Sequence, residues 1–171
     1  LLSGARRLYP SDWSRDGAKL VYQEDHETTA WDLRVLDRTT GESSSFASSP
    51  ANESTAALSH DGKLLAYESD ELDGLVQVHV AAFPGGDQKV LASANGVRWP
   101  VFASDGTLFF WDTTVLRLAS VLTRVEAGRL SVSGEAPVFA GAGVPDFGTL
   151  MLSGTARYDV IAAEDTVVAR L

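Results

Sequence analysis

The sequence contains no cysteine, one methionine (Met151) and only three histidines. The absence of cysteine excludes disulfides, thiolate nucleophiles and Cys-ligated zinc or iron–sulfur sites, and it leaves the redox compartment open. There is no apolar run of about 18 residues, so no transmembrane helix is predicted. Residues 1–7 (LLSGARR) lack the ordered regions of a signal peptide. Because the chain does not begin with methionine, we expect it to be a piece of a longer protein.

Cationic residues are also scarce. The chain has 171 residues, of which 14 are Lys or Arg and 23 are Asp or Glu, so its formal net charge is −9. A chain this acidic repels phosphate backbones, and we therefore predict that nucleic acid is not a partner. With 44% hydrophobic and 22% charged residues, the composition is typical of a folded globular protein of one domain, or one large piece of a domain.

Three segments of the chain repeat one another. Residues 12–25 read DWSRDGAKLVYQED, residues 57–70 read ALSHDGKLLAYESD and residues 101–114 read VFASDGTLFFWDTT. The glycines of their Asp-Gly pairs are 45 and 44 residues apart, and an aromatic residue follows each glycine after five positions. These pairs and aromatics are Asp16-Gly17 with Tyr22, Asp61-Gly62 with Tyr67, and Asp105-Gly106 with Trp111. Self-similarity at this period indicates a repeat architecture.

Each unit is predicted to contain four short β-strands. Asp-Gly is a tight hairpin turn, and the apolar run after it is strand-like. Residues 31–36 and 76–80 alternate apolar and polar side chains, as half-buried strands do. The strands predicted after the first turns are residues 19–22, 31–36 and 43–47 in unit one, 63–67, 76–80 and 88–92 in unit two, and 107–111, 115–121 and 137–139 in unit three. A turn is predicted at residues 126–128, and a degenerate fourth unit at residues 147–154 and 158–162.

Four strands every 44 or so residues define a β-propeller blade, so the predicted class is all-β, without a helix of ten or more residues. The predicted blade units are residues 9–50, 51–96, 97–142 and 143–171, three clear blades and one degenerate blade. Four blades could close as a ring, but we favour a partial ring.

The pattern Ser-x-Asp-Gly-Lys-x-Leu-x-Tyr, followed by a strand and Thr-Gly-Glu, resembles the WD40-like (PD40) repeat of TolB-type propellers. Residues 65–71, 76–80, 83–86, 94–96 and 99–100 together resemble the C-terminal propeller of multidomain bacterial serine/threonine protein kinases. That resemblance implies a six-bladed ring and a periplasmic or extracytoplasmic location, beyond a membrane span. The third unit departs from the pattern, since Ala103 stands where the first two units have serine.

The recurring aspartates Asp16, Asp61 and Asp105 are interpreted as turn residues, because Asp before Gly accepts hydrogen bonds from nearby backbone amides. Residues 68–74 (ESDELDG) form the most acidic stretch, and they fall where the central loop of a blade belongs. Their spacing does not fit an EF-hand, so no metal site is predicted. No cofactor is predicted either.

No catalytic motif is present. There is no Gly-x-Ser-x-Gly elbow, His-Glu-x-x-His or Walker loop, and we predict that this segment is not an enzyme. His26 and His60 fall in predicted turns and His79 on the polar face of a strand, so all three are predicted to lie at the surface. The aromatics Trp13, Trp99, Phe102 and Trp111 are expected to fill the space between neighbouring sheets.

The leading hypothesis is a noncatalytic propeller that binds a protein or peptide through loops at one face. Trp31 lies beside the acidic loop at residues 24–27 and is the preferred aromatic anchor. Charge reversal at Glu24, Asp25, Glu68 and Asp70 is expected to weaken binding of the partner without unfolding the domain. The alternatives are a gating propeller of a prolyl-oligopeptidase-type peptidase and a TolB-like propeller that binds a small ligand or glycan in its axial funnel. Open blade edges also predict self-association.

Overall fold

The predicted all-β class is confirmed by a computed structural model that describes residues 6–93, 96–115 and 117–137, together with the backbone of 159–163 and 166–170. Within these ranges the regular secondary structure is β-strand, arranged as three antiparallel four-stranded sheets and one hairpin. Sheet 1 contains β1 (Leu8–Trp13), β2 (Lys19–His26), β3 (Ala30–Asp37) and β4 (Ser43–Ala47). Sheet 2 contains β5 (Glu53–Leu58), β6 (Leu64–Ser69), β7 (Gln77–Ala82) and β8 (Val90–Ser93). Sheet 3 contains β9 (Val97–Phe102), β10 (Thr107–Asp112), β11 (Arg117–Glu126) and β12 (Arg129–Pro137).

The C-terminal hairpin pairs β13 (Asp159–Ala163) with β14 (Thr166–Arg170). The predicted strand at 158–162 overlaps β13, whereas the predicted segment at 147–154 lies outside the described residues. In sheet 3 the predicted turn at 126–128 is present, but β12 starts directly after it, at Arg129, and not at residue 137. β11 also runs to Glu126, beyond the predicted end at residue 121. The short connection between β10 and β11 is therefore followed by a long outer hairpin.

A tight Asp-Gly turn connects the first two strands of each sheet. Gly17, Gly62 and Gly106 adopt φ values of +69°, +69° and +87°, a region that L-residues with a Cβ disfavour. Their amides donate to the carbonyl three residues earlier, over 2.7, 2.9 and 3.2 Å. In sheet 2 the Ser59 hydroxyl accepts a 2.9 Å hydrogen bond from the Leu64 amide, which connects the two ends of the turn. Ala103 cannot make this contact in sheet 3.

The third turn is one residue shorter than the other two. Trp13 pairs with Leu20 and Leu58 with Leu65, but Phe102 pairs with Leu108, which comes one residue earlier in its repeat. Because side chains alternate along a strand, a one-residue shift exchanges the two faces of β10. Phe110, not Trp111, therefore occupies the place of Tyr22 and Tyr67. The predicted equivalence of Trp111 with these tyrosines is wrong.

The apolar core lies between successive sheets. Leu33 and Val35 of sheet 1 pack against Leu65 and Tyr67 of sheet 2. The opposite face of sheet 2 packs against sheet 3 through the larger cluster, whose members are Leu64, Ala66, Val78, Val80, Ala92, Val97, Leu108, Phe110, Ala119, Val121 and Leu130. The first strands also contact one another in order, β1 with β5 and β5 with β9. The sheets thus stack face to face with their first strands on one side, which is blade packing.

Three side chains link successive sheets through backbone amides. The Asp12 carboxylate accepts from the Leu58 amide over 2.8 Å, and Glu68 accepts from the Trp99 amide over 2.8 Å. Between sheets 2 and 3, the Gln88 side-chain oxygen Oε1 accepts from the Leu130 amide over 2.9 Å. A buried amide without an acceptor destabilises a fold, so these three hydrogen bonds stabilise the packing of each sheet on the next.

The four-stranded sheets have two distinct ends. At one end are the Asp-Gly turns and the connections between the third and fourth strands, since the Arg38 amide donates to the Ala18 carbonyl and the Phe83 amide to the Lys63 carbonyl, both over 2.8 Å. At the other end are the β2–β3, β6–β7 and β10–β11 loops. We call these the Asp-Gly end and the loop end.

Candidate partner-binding surface

The recurring aspartates are held within their own turns. Asp16 Oδ1 accepts from the Ala18 amide over 2.9 Å and from the Ser14 hydroxyl over 2.6 Å. Asp105 Oδ1 accepts from the Thr107 amide over 2.9 Å. The hydrogen bond from Ser14 lowers the pKa of Asp16 below its ordinary value. Each of these carboxylates is thus a hydrogen-bond acceptor within its own turn.

Asp61 makes the same turn contacts in sheet 2. Its Oδ1 accepts from the Ser59 hydroxyl over 2.7 Å and from the Lys63 amide over 3.1 Å. Burial opposes ionisation of this carboxyl, but the hydrogen bonds from Ser59 and Lys63 outweigh it and lower its pKa.

Glu68 does not lie in a loop, and its assignment as a partner contact is wrong. It is a β6 residue whose exposed fraction is 1%. It accepts from the Trp99 amide, its Oε2 lies 3.5 Å from the Arg98 guanidinium, and the side chains of Thr55 and Ser54 favour its charged form. Burial raises the pKa of Glu68 despite these contacts.

Glu68 lies between two strained points of the first strands. Thr55 and Trp99 have φ values of +43° and +57°, and the strand pairing shifts beside both residues. Such bulges turn a strand and leave backbone groups without ladder partners. Glu68 supplies an acceptor for one of those groups, the Trp99 amide.

The other predicted acidic contacts are at the loop end, but each has an internal partner. Glu24 lies 3.3 Å from Arg34, Asp25 lies 3.7 Å from Arg7, and Asp70 accepts from the amide and side chain of Asn52 over 2.7 and 2.8 Å. Charge reversal at these positions would therefore remove internal contacts as well as any contact with a partner.

Trp31 contacts an aromatic residue that sequence reasoning missed. Its ring packs edge to face against Tyr9, with 5.4 Å between centroids and 62° between planes. Tyr9 is 51% exposed and lies on β1. The strand pairing of Tyr9 with Gln23, and of Asp25 with Trp31, places both aromatics at the loop end of sheet 1. Only the register of three strands brings these two residues together, because 22 positions separate them in the chain.

The loops of the next two sheets expose further apolar side chains. Leu72 and Leu75, in the β6–β7 loop, are 43% and 56% exposed, and Val115, in the β10–β11 loop, is 59% exposed. Leu75 donates its amide to the Leu72 carbonyl over 3.2 Å, so the loop turns back and presents both leucines. We call Tyr9, Trp31, Leu72, Leu75 and Val115 the loop-end surface. Apolar residues in a predicted turn are the sequence signal that could have identified Leu72 and Leu75.

The aromatics expected between the sheets have different environments. Trp111 is buried and Phe102 is partly buried against the core. Trp13, in contrast, is 43% exposed at the Asp-Gly end, where the Arg38 guanidinium lies 5.4 Å from its ring centroid. The expectation that Trp13 fills the space between sheets is wrong.

His79 is buried, contrary to the prediction of a surface residue. Its exposed fraction is 2%, and its ring stacks on Tyr67 with 5.8 Å between centroids. Its Nε2 lies 3.7 Å from Glu71, whose carboxylate pairs with Lys89 at 2.5 Å. The alternation of β7 indicated a polar face, but that face packs toward sheet 1. Burial lowers the pKa of His79.

Stability is predicted to depend on pH through His79. A group whose folded pKa is lowered stabilises the fold above its unfolded pKa, here about 6.5, and this stabilisation is lost as the pH falls. Between pH 7 and 5 the free energy of unfolding of the wild type should therefore fall relative to His79→Leu, by at most about 1.4 kcal/mol per pH unit. Urea denaturation of both proteins across this range measures the difference. Parallel pH profiles would contradict the prediction.

Solved structures that are similar to this chain include β-propeller proteins, although no protein-family model and no curated protein sequence matches it. TolB from Agrobacterium tumefaciens is 19% identical, with a TM-score of 0.57, over 77% of this chain and 50% of that one. TolB from Acinetobacter baumannii is 18% identical, with a TM-score of 0.59, over 77% and 33%. A prolyl endopeptidase is 16% identical, with a TM-score of 0.60, over 99% and 25%. The chain is a β-propeller module that spans half or less of these proteins.

The described residues contain neither a metal-binding cluster nor a membrane-spanning helix. In the ranges given above, no group of three or more His, Asp or Glu residues has the arrangement of a metal site. The same part of the chain contains no helix long and apolar enough to cross a membrane.

Proposed function

We propose that this propeller is a noncatalytic binding module whose loop-end surface docks a protein or peptide. The observation that carries the proposal is the exposure of Tyr9, Leu72, Leu75 and Val115 at one end of three successive sheets. Exposed apolar side chains grouped on one surface and bordered by polar residues are typical of interaction sites. The Trp31–Tyr9 pair supplies the kind of aromatic anchor that dominates binding energy at protein interfaces.

The module is proposed to belong to a larger bacterial protein and to lie outside the cytoplasm. The resemblance of residues 65–100 to kinase-associated propellers supports a membrane-bound serine/threonine kinase as that protein. The catalytic domain would then lie outside this chain, and the propeller would be its sensor.

A second candidate is the gating propeller of a prolyl-oligopeptidase-type peptidase. The similarity to a prolyl endopeptidase over 99% of this chain favours it. In that case a hydrolase domain adjoins the propeller in the same polypeptide, which the parent reading frame would show directly.

Site-specific photo-crosslinking tests the binding surface. A benzophenone amino acid introduced at Tyr9 or Leu75 of the intact protein in its host should give adducts with another protein. The same probe at Trp13, which is exposed at the Asp-Gly end, should give few. Trp31→Ala should reduce the Leu75 adducts at least about tenfold if Trp31 is an anchor worth 1.4 kcal/mol or more.

Equal adduct yields at the two ends of the sheets would contradict the proposed surface. Urea denaturation of each variant shows whether the fold is retained, since Tyr9 and Trp13 are both about half exposed.

A further inference from the structure

We infer that the loop-end surface recognises a cationic peptide segment, one in which a Lys or Arg side chain is adjacent to an apolar residue. This inference rests on the proposed function and names the chemistry of its partner. It is carried by unpaired carboxylates that lie at the same end of the sheets as the exposed apolar side chains.

Carboxylates outnumber cations at the loop end of sheets 1 and 2. Outside the core, the acidic residues there are Glu24, Asp25, Glu27, Asp70, Glu71 and Asp73, and the basic residues are Arg6, Arg7, Arg34 and Lys89. An excess of one charge attracts partners of the opposite charge and repels those of the same charge. An acidic peptide is therefore disfavoured at this end.

Two of these carboxylates are available to a partner. Glu27 and Asp73 are exposed, and neither has a hydrogen bond or ion pair within residues 6–137 where the structure describes them. Glu27 lies in the β2–β3 loop close in sequence to Trp31, and Asp73 lies between Leu72 and Leu75. Each unpaired carboxylate is thus close in sequence to a residue of the loop-end surface.

Asp25 is a third, exchangeable carboxylate. Its partner Arg7 is 3.7 Å away and has a side chain that is 75% exposed. Solvent-exposed pairs of this kind contribute little to stability, about 0–1 kcal/mol. A cation from a partner can therefore replace Arg7 at small cost.

The aromatic pair favours the same ligand chemistry. A Lys or Arg side chain near the face of Trp or Tyr is attracted by the ring quadrupole. Tyr9 is half exposed and contacts Trp31 edge to face, an arrangement that leaves ring surface available. The exposed leucines of the β6–β7 loop add an apolar contact that a free inorganic cation could not use. The combination of apolar, aromatic and anionic groups is therefore suited to a peptide.

Panning a random peptide-display library on the intact 171-residue chain tests the inference. Enriched peptides should contain Lys or Arg next to an apolar residue. The affinity of the most enriched peptide is then measured by fluorescence anisotropy. Glu27→Lys combined with Asp73→Lys should weaken it at least about tenfold, since two favourable charge contacts become repulsive.

The control changes the net charge equally at the other end. Glu42→Lys combined with Glu126→Lys alters exposed residues at the Asp-Gly end and should change the affinity less than about twofold. If it weakens binding as much as the loop-end pair, the effect is one of total charge and the inference is wrong.

The failure of the inference can be distinguished from failure of the proposed function. Peptides that lack basic residues but lose binding in Trp31→Ala would overturn the cationic chemistry and leave the surface in place. If no enriched peptide depends on Tyr9, Trp31 or Leu75, both proposals are wrong.

Discussion

Phe110→Ala is expected to lower the free energy of unfolding by about 3–5 kcal/mol. The Phe110 side chain is fully buried in the cluster between sheets 2 and 3, together with Val78 and Val80. Its loss leaves a cavity that rigid strands on both sides cannot close. Chemical denaturation followed by intrinsic fluorescence measures the change. Trp13→Ala, at an exposed position, should cost less than about 1 kcal/mol.

A double-mutant cycle with Val80→Ala tests the register that places Phe110 in this cluster. Side chains in contact give coupling energies of about 0.5–3 kcal/mol, whereas separate sites are additive. Phe110 and Val80 should therefore couple, and Trp111 and Val80, on opposite sides of β10, should not. Coupling of Val80 to Trp111 in place of Phe110 would show that the third repeat follows the other two without a deletion.

Glu68→Ala is expected to destabilise the fold by about 2–4 kcal/mol, because the Trp99 amide loses its buried acceptor and a cavity forms. Glu68→Gln keeps an acceptor of the same shape and should cost less than about 1 kcal/mol. Denaturation curves give both values. Hydrogen exchange at the Trp99 amide should quicken in the alanine variant more than in the glutamine variant. Equal losses in the two variants would show that the charge of Glu68, and not its acceptor, is what the fold uses.

Because burial raises the pKa of Glu68, the free energy of unfolding should also depend on pH through this carboxyl. A carboxyl with a raised folded pKa stabilises the fold fully below its unfolded pKa, and that contribution is lost as the pH rises through the folded pKa. Above its ordinary value of 4.5, the wild type should therefore lose stability with increasing pH relative to Glu68→Gln. An increase relative to the variant would reverse the sign and contradict the burial argument.

Much of the fold was predictable because each repeat carries its own turn chemistry. Asp-Gly at a period near 44 residues and alternating strands are local signals, and local signals define hairpins. The deletion in the third turn was not predictable, since Gly106 still aligns with Gly17 and Gly62. Only the strand pairing shows that one residue is missing after Gly106, and that the two faces of β10 are exchanged as a result.

The candidate site was less predictable than the fold. Residues 68–74 were interpreted as one acidic loop, yet β6 extends to Ser69 and takes Glu68 into the core. His79 was predicted to face solvent because apolar and polar residues alternate along β7, but neighbouring sheets cover both faces of sheet 2. Trp31 and Tyr9 meet through three strands, a contact that neither residue's local sequence indicates. Burial on both sides of a sheet depends on its neighbours and has no signal within the sheet itself.

The complete burial of β6, from Leu64 to Ser69, distinguishes sheet 2 from the sheets beside it. Each sheet packs mainly on its nearest neighbour, so the stability of the array resembles that of a one-dimensional lattice, a sum of unit and interface energies. Loss of sheet 1 or sheet 3 removes one of the two interfaces described, whereas loss of sheet 2 removes both. The central unit therefore controls cooperativity. The backbone amide hydrogens of sheet 2 should therefore exchange with solvent only when the whole array unfolds, whereas sheets 1 and 3 can unfold locally.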